Sequence, residues 1–238
     1  MKKIIIVGAS SGIGRNIANL YAETDAKIGL IGRREEKLKE LYRLNPDKYI
    51  YKACDISNTE LSAIYLNELV NELGGLDIIV LSAGTGELNN SLEYSVERPT
   101  LLTNVLGWTH IVNWSFRYFQ NQGYGHLVSL SSVGGLRGNG ISPAYNASKA
   151  YQINYLEGIR QKATKLHLPI FITDIRPGFV DTDMAKGDGL FWVAPIEKAG
   201  RQIFNAIQKK KKIAYITKRW KLIAEIIKIM PSSLYCRI

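Results

Sequence analysis

Cysteine is nearly missing from this 238-residue chain: Cys54 and Cys236 are the only two, and they lie far apart. A disulfide framework needs a dense, even set, so none is expected, and Cys54, at the end of an apolar run, reads as a small core residue. The three histidines (His110, His126, His167) are scattered without ligand spacing, and no metal site is expected. No stretch is low in complexity, or rich enough in proline and glycine, to serve as a linker. The opening Met-Lys-Lys-Ile-Ile-Ile-Val-Gly is too short in apolar residues for a signal peptide and meets a glycine turn instead of a cleavage site. The expectation is a cytoplasmic protein with one large domain and a substantial core.

Acid is scarce at one end. From Lys209 onward nine Lys/Arg face a single acid, Glu225, so this tail holds +8 of the formal +10 and the preceding body is nearly neutral. The basic pI therefore describes the tail, which needs its own explanation.

Short β-branched runs alternate with helical periodicity along the body. Strands are predicted at Lys3–Val7, Ala26–Ile31, Tyr49–Cys54, Asp77–Leu81, Gly125–Leu130, Ile170–Ile175 and Ile213–Ile216. Helices are predicted after Gly14 and over Arg34–Leu44, Ser57–Leu73 (Ser57 as N-cap), Val96–Gln120, Pro143–Leu166 and Ile196–Gln208. Continuously apolar strands alternating with helices imply one doubly wound, Rossmann-type parallel sheet in a three-layer αβα sandwich. It would span residues 1–217, with residues 218–238 as a basic extension. Ligands of such a sheet sit at the strands' C-terminal ends. Gly8–Gly14, Arg33, Asp55, Ser82–Gly84, Ser132 and Pro177-Gly178 all fall there.

Three motifs carry chemistry. The first strand runs into Gly8-Ala9-Ser10-Ser11-Gly12-Ile13-Gly14 and a helix, a turn whose glycines let a pyrophosphate rest on the helix N-terminus. At the end of the second strand, where an NAD site would place an acid for the ribose 2′-hydroxyl, Gly32 is followed by Arg33 and Arg34. Two arginines suit a 2′-phosphate, so NADP is preferred over NAD. Tyr145 and Lys149 are four residues apart, one above the other on a helix face. The ammonium is expected to pull the phenol's pKa down, toward proton exchange with a carbonyl or alcohol oxygen.

From Lys3 to about Met184 the chain resembles the short-chain dehydrogenase/reductase family. The resemblance implies that Gly8, Gly12 and Gly14, with Ser10, Ser11 and Ile13, form the cofactor turn, and that Asp55, with Ile56, lies beside the adenine. Ser82-Ala83-Gly84 matches a cofactor-lining segment, and Pro177-Gly178-Phe179-Val180-Asp181-Thr182 matches the nicotinamide-contacting turn. Ser132, Tyr145 and Lys149 match the catalytic set. Spacing to Tyr145 selects Ser132 over the adjacent Ser131. Asn104 matches the asparagine that holds a proton-relay water. The chain departs at Val7, usually Thr, and at Ser82, usually Asn. By resemblance Lys149 also grips the nicotinamide ribose, and helices Val96–Gln120 and Pro143–Leu166 pair subunits into a homodimer or tetramer. Tyr151, Ile153, Leu156 and Ile159 give the second helix apolar surface beyond what one sheet face needs.

The substrate side and the tail are read from the residues alone. Asp183–Val193 is expected to be a mobile flap, freed by Gly187 and Gly189 and made apolar by Met184, Leu190, Phe191 and Trp192, which suits an apolar carbonyl or alcohol. In the tail, Trp220, Ile223, Ile227 and Met230 recur at helical spacing, Leu222, Ile226 and Ile229 widen the stripe, and Pro231 stops it. At about thirteen residues it is too short to span a bilayer. An anionic membrane surface through residues 218–230 and packing on its own core or a partner subunit both remain open; nucleic acid is disfavoured by a lone Trp and no reading motif. Two rivals to an NADP-dependent oxidoreductase stand beside it. A catalytically idle nucleotide-binding protein is opposed by the intact Ser132, Tyr145, Lys149 and Asn104. A nucleotide-sugar epimerase is opposed by the short segment after Gly178.

Overall fold

The computed structural model describes residues 1–185 and 190–237. In chain order its elements are β1 (Lys2–Val7), α1 (Gly12–Ala22), β2 (Ala26–Gly32), α2 (Glu35–Leu44), β3 (Tyr49–Ala53), α3 (Thr59–Leu73) and β4 (Ile78–Leu81). There follow α4 (Tyr94–Leu101), α5 (Trp108–Gln122), β5 (Gly125–Leu130), α6 (Pro143–Lys165), β6 (Ile170–Pro177), α7 (Ile196–Gln208), β7 (Ile213–Ile216), α8 (Arg219–Ile229) and α9 (Ser232–Tyr235).

Ile4 to Val7 form a strand because four consecutive β-branched residues can be buried on both faces of a sheet. Side chains alternate across it. Ile4 and Ile6 enter one core with Ile17 and Tyr21 of α1 and Ile203 and Ile207 of α7. Ile5 and Val7 enter another with Leu66 and Leu69 of α3 and Ile111 and Phe116 of α5. The strands lie in the order β3-β2-β1-β4-β5-β6-β7, all pairs parallel, which is the expected three-layer sandwich. Strand order reverses between β1 and β4, and the two connections diverge there to leave a crevice.

Two local readings are corrected. Asn58, not Ser57, caps α3, its Oδ1 accepting from the Leu61 amide at 3.0 Å. Ser57 is instead held by Asp55, whose Oδ1 accepts from its amide at 2.9 Å and its hydroxyl at 2.8 Å. The long helix expected over Val96–Gln120 runs Tyr94–Gln122 and is interrupted by a π-helical turn, Leu102–Gly107. Gly107 lies so close to the Ile56 carbonyl that a Cβ would collide with it, so the helix is drawn onto the end of β3 at this turn. The tail helix does stop before Pro231, and the single turn of α9 follows at once.

Candidate active site

One cavity of about 820 Å³ opens at the C-terminal edge of the sheet, beside the β1/β4 crevice. Its floor at one end is the turn after β1. Gly8 adopts φ +89°, a left-handed conformation open to glycine at little cost, and any Cβ there would strike the Ala83 backbone after β4. Ser82 and Ala83 donate their amides to the Val7 carbonyl at 2.8 and 2.9 Å, so the departures at Val7 and Ser82 leave the two strand ends bonded through backbone alone. Ser11 precedes α1 without a side-chain cap, and the first turn has no acid, so the amides and positive dipole end of α1 face the cavity. Ser10, Ser11, Gly12 and Ile13 line the wall, whereas Gly14 sits behind it, packed against the Gly8 carbonyl.

Both arginines after β2 reach the same wall. Arg34 donates to the hydroxyls of Ser10, at 3.4 Å, and Ser11, and its Nη1 lies 3.8 Å from Asp183. Arg33 extends toward Asp55 at 3.8 Å and is largely exposed. Asp55, Ile56, Ser82, Ala83 and Gly84 complete this half of the cavity.

The other half holds Ser132, Tyr145 and Lys149. Ser131 and Ser132 are adjacent in sequence but separated in role. Ser131 donates to Asp174 at 2.5 Å, while Ser132 hydrogen-bonds the Tyr145 phenol. Burial pushes that phenol above its usual pKa, and the Ser132 bond draws it part of the way back. The expected depression by Lys149 is therefore not what governs it. The ammonium lies 5.8 Å from the Tyr145 ring centroid and donates elsewhere, to the Leu130 carbonyl at 2.9 Å and to Gln152 Oε1 at 3.0 Å. Burial lowers Lys149 to about 8, opposed by the buried carboxylate of Asp174.

Asn104 is buried behind the wall on the π-helical turn. Its side chain clamps Thr85, accepting from the amide at 2.9 Å and donating to the carbonyl at 2.7 Å. Its own carbonyl accepts from Gln152 Nε2 at 2.9 Å. Asn104 and Lys149 are thus linked through the Gln152 side chain, on the path where a relay water was expected.

Comparison with known proteins places this geometry. The family model described as short chain dehydrogenase matches residues 2–189. The chain belongs to the short-chain dehydrogenase family. It is 31% identical over 189 residues to an uncharacterized oxidoreductase of Staphylococcus epidermidis, covering 78% of this chain and 81% of that one. It is 32% identical over 191 residues to an uncharacterized oxidoreductase of Mycobacterium tuberculosis, covering 77% and 75%. Its fold is similar to that of a short chain dehydrogenase from Burkholderia cenocepacia solved in complex with NADP, at TM-score 0.82 and 18% identity, over 100% of this chain and 98% of that one.

Beyond the short-chain dehydrogenase core, two features read separately in the sequence meet at the site. Pro177, Gly178, Phe179, Val180 and Thr182 line the cavity after β6. A Cβ on Gly178 would run into the indole of Trp220, so α8 packs directly on this turn. Phe179, Phe191 and Trp192 surround Trp220 with ring centroids 5.3, 5.1 and 6.4 Å away. The base of the segment is tied by Asp181 N to Ala194 O at 2.9 Å and Ala194 N to Phe179 O at 3.0 Å. Gly187 and Gly189, expected to free the flap, lie outside the described residues.

α8 is fastened from the catalytic side as well. Arg137, just after Ser132, donates to the α8 C-terminal carbonyls of Ile227 at 3.2 Å and Met230 at 2.9 Å, and stacks 4.3 Å from the centroid of Tyr235. The wide apolar stripe of the tail is therefore divided. Trp220, Ile223, Ala224 and Ile227 pack with Val133, Leu136 and Phe179, while Leu222, Ile226 and Ile229 face outward. Sequence reading missed Gln152, Arg137, Asp174 and Gly86, the last lying where a Cβ would collide with the Tyr145 ring. A polar residue three positions after Lys149, on the same helix, was the available signal for Gln152.

Proposed function

We propose that this protein is an NADP(H)-dependent oxidoreductase that moves a hydride between the nicotinamide and the carbonyl or secondary-alcohol carbon of an apolar substrate. The convergence of Ser132, Tyr145 and Lys149 with the glycine turn on one cavity carries the reading. The uncapped N-terminus of α1 and the open turn at Gly8 and Gly12 fit a pyrophosphate. Arg33 would hold a 2′-phosphate with Arg34 bracing the turn beside it, Asp55 and Ile56 the adenosine, and Pro177, Gly178, Val180 and Thr182 the nicotinamide end. The cofactor, when bound, supplies or accepts the hydride.

The chain's own residues orient the substrate and move the proton. The Ser132 hydroxyl donates to the substrate oxygen as charge develops on it. Tyr145 gives that oxygen a proton in reduction and takes it back in oxidation. A phenol raised by burial stays protonated at neutral pH, the form that gives up a proton in reduction. Lys149, held by Leu130, Gln152 and, through Gln152, by Asn104, would grip the nicotinamide ribose, while Ser132 is the group that draws the phenol's pKa down. Phe179, Phe191, Trp220, Ile223 and Ile227 give the substrate end an apolar wall.

The test is a panel of apolar aldehydes and ketones followed by the absorbance of NADPH. Turnover should appear with NADPH and fall by about 10²–10⁴-fold in Tyr145→Phe. Equal turnover by that variant would remove Tyr145 from the proton step. Tight NADPH binding with no turnover of any substrate would favour an idle nucleotide-binding protein.

A further inference from the structure

The cavity mouth is apolar. Leu88, Ile141, Met184 and Phe191 line the cavity, yet each is more than a third exposed. One wall of that cavity is the inner face of α8. Successive helix residues are about 100° apart, so the apolar surface of Ile223 and Ile227 continues around the helix through Ile226 and Leu222 to Ile229. These outer three are 44%, 64% and 82% exposed. Trp192, itself 44% exposed, extends the same surface beside Arg219, whose guanidinium lies 5.9 Å from the ring. A contiguous exposed apolar surface of this kind marks an interaction site.

Positive charge predominates around it, and the acids nearby, Glu225 and Asp183, are paired with Lys228 at 3.2 Å and Arg34 at 3.8 Å. Lys218, Arg219 and Lys221 flank the outer stripe, and among the described residues no acid pairs with Lys218 or Lys221. The four lysines Lys209–Lys212 take no part. They precede β7 at the opposite edge of the sheet, where Lys210 lies 3.9 Å from the Phe171 ring at the start of β6.

We infer that α8 and the cavity mouth rest on an anionic lipid bilayer, with the outer stripe in the headgroup region and the mouth facing the lipid. An outward stripe edged by cations and an interfacial Trp fits that surface, because the lysine stems can reach the headgroups while the apolar side chains lie about 5–10 Å deep. Resting on the proposed oxidoreductase function, the inference specifies its substrate class: a lipid-dissolved carbonyl or alcohol that enters the cavity from the bilayer. Among the described residues no helix is long and apolar enough to cross a membrane, so the contact is peripheral.

The full-length protein should co-sediment with vesicles of phosphatidylcholine and phosphatidylglycerol at low salt, and not with phosphatidylcholine alone. Raising salt from about 0.05 to about 0.5 M should release it. The triple variant Leu222→Ser, Ile226→Ser, Ile229→Ser should lose at least tenfold in vesicle affinity. Lys218→Glu with Lys221→Glu should lose about fivefold or more per site. None of these positions lines the cavity, so NADPH binding, measured by fluorescence on the same variants, should be unchanged. Absence of binding to the anionic vesicles overturns the inference. So does a stripe variant that keeps its lipid affinity, or one that halves in sedimenting mass, which would make the stripe a contact between two copies of this chain. Vesicle binding without NADPH binding would instead sink the oxidoreductase reading and leave the surface standing.

Discussion

Arg33 and Arg34 are neighbours in sequence and do different things. Arg34 is committed to the glycine turn through Ser10 and Ser11, so it braces whatever the turn holds. Arg33 is more exposed and reaches only toward Asp55, leaving its guanidinium for a ligand at the end of β2. Loss of a charge-assisted contact costs about 1.5–3 kcal/mol. Arg33→Ala should therefore raise the NADPH dissociation constant tenfold or more and leave NADH nearly unchanged. Arg34→Ala should weaken both, because it loosens the turn that both cofactors share. Titration of each variant by cofactor fluorescence separates the two roles, and equal losses for NADPH and NADH in Arg33→Ala would remove the phosphate role. That Ser132, Tyr145 and Lys149 belong together was legible from spacing and resemblance, and the three line one cavity. The balance of the phenol was not, because burial, which raises it, depends on what surrounds the ring. Gln152 was hidden for a similar reason: its partners, Lys149 and the Asn104 carbonyl, belong to two separate helical segments.

At the scale of elements, the sheet was legible because strands buried on both faces read as unbroken apolar runs, and their ends carry the site residues. Boundaries and interruptions were harder. The π-helical turn at Leu102–Gly107 answers to a close approach between Gly107 and Ile56, a contact between distant parts of the chain. The tail helix was legible as amphipathic but not in its orientation, since its stripe is wide enough to serve two surfaces. Docking is decided by Trp220, which fits over Gly178 and among three aromatic rings, and by Arg137, which ties the helix end. Replacing a buried Trp by Ala costs about 3–5 kcal/mol. Because α8 packs on the body through this small cluster, separate from the two cores of the sheet, Trp220→Ala should undock it locally rather than unfold the domain. Amide hydrogen exchange over Arg219–Ile229 should then accelerate on the order of a hundredfold, an opening of about 3 kcal/mol, while Ile4–Val7 keep their protection. Equal acceleration in β1 would show that the helix and the sheet unfold together.

At the scale of the whole molecule, stability rests on a sheet whose central strands are covered on both sides, and a histidine is locked inside it. His126 lies on β5, buried, with Nε2 2.7 Å from the Thr173 hydroxyl of β6. Burial lowers it to about 4, and the charges of Lys210 and Lys2 act in the same direction. In the unfolded chain it titrates near 6.5. Between those values the unfolded state binds the extra proton, so stability rises with pH across that window. Its contribution is fully present above about 6.5 and is lost as pH falls toward 4. A gap of this size amounts to something on the order of 3 kcal/mol. Since β5 pairs with β4 and β6 inside the sheet, protonation is expected to draw on the stability of the sheet itself. Urea denaturation of the parent protein should therefore lose midpoint concentration steeply between pH 7 and pH 4.5. His126→Gln, which keeps a polar partner for Thr173 without a titratable ring, should lose distinctly less over the same interval. Parallel pH profiles for the two proteins would mean that other groups carry the acid sensitivity and that the buried imidazole is protonated without cost.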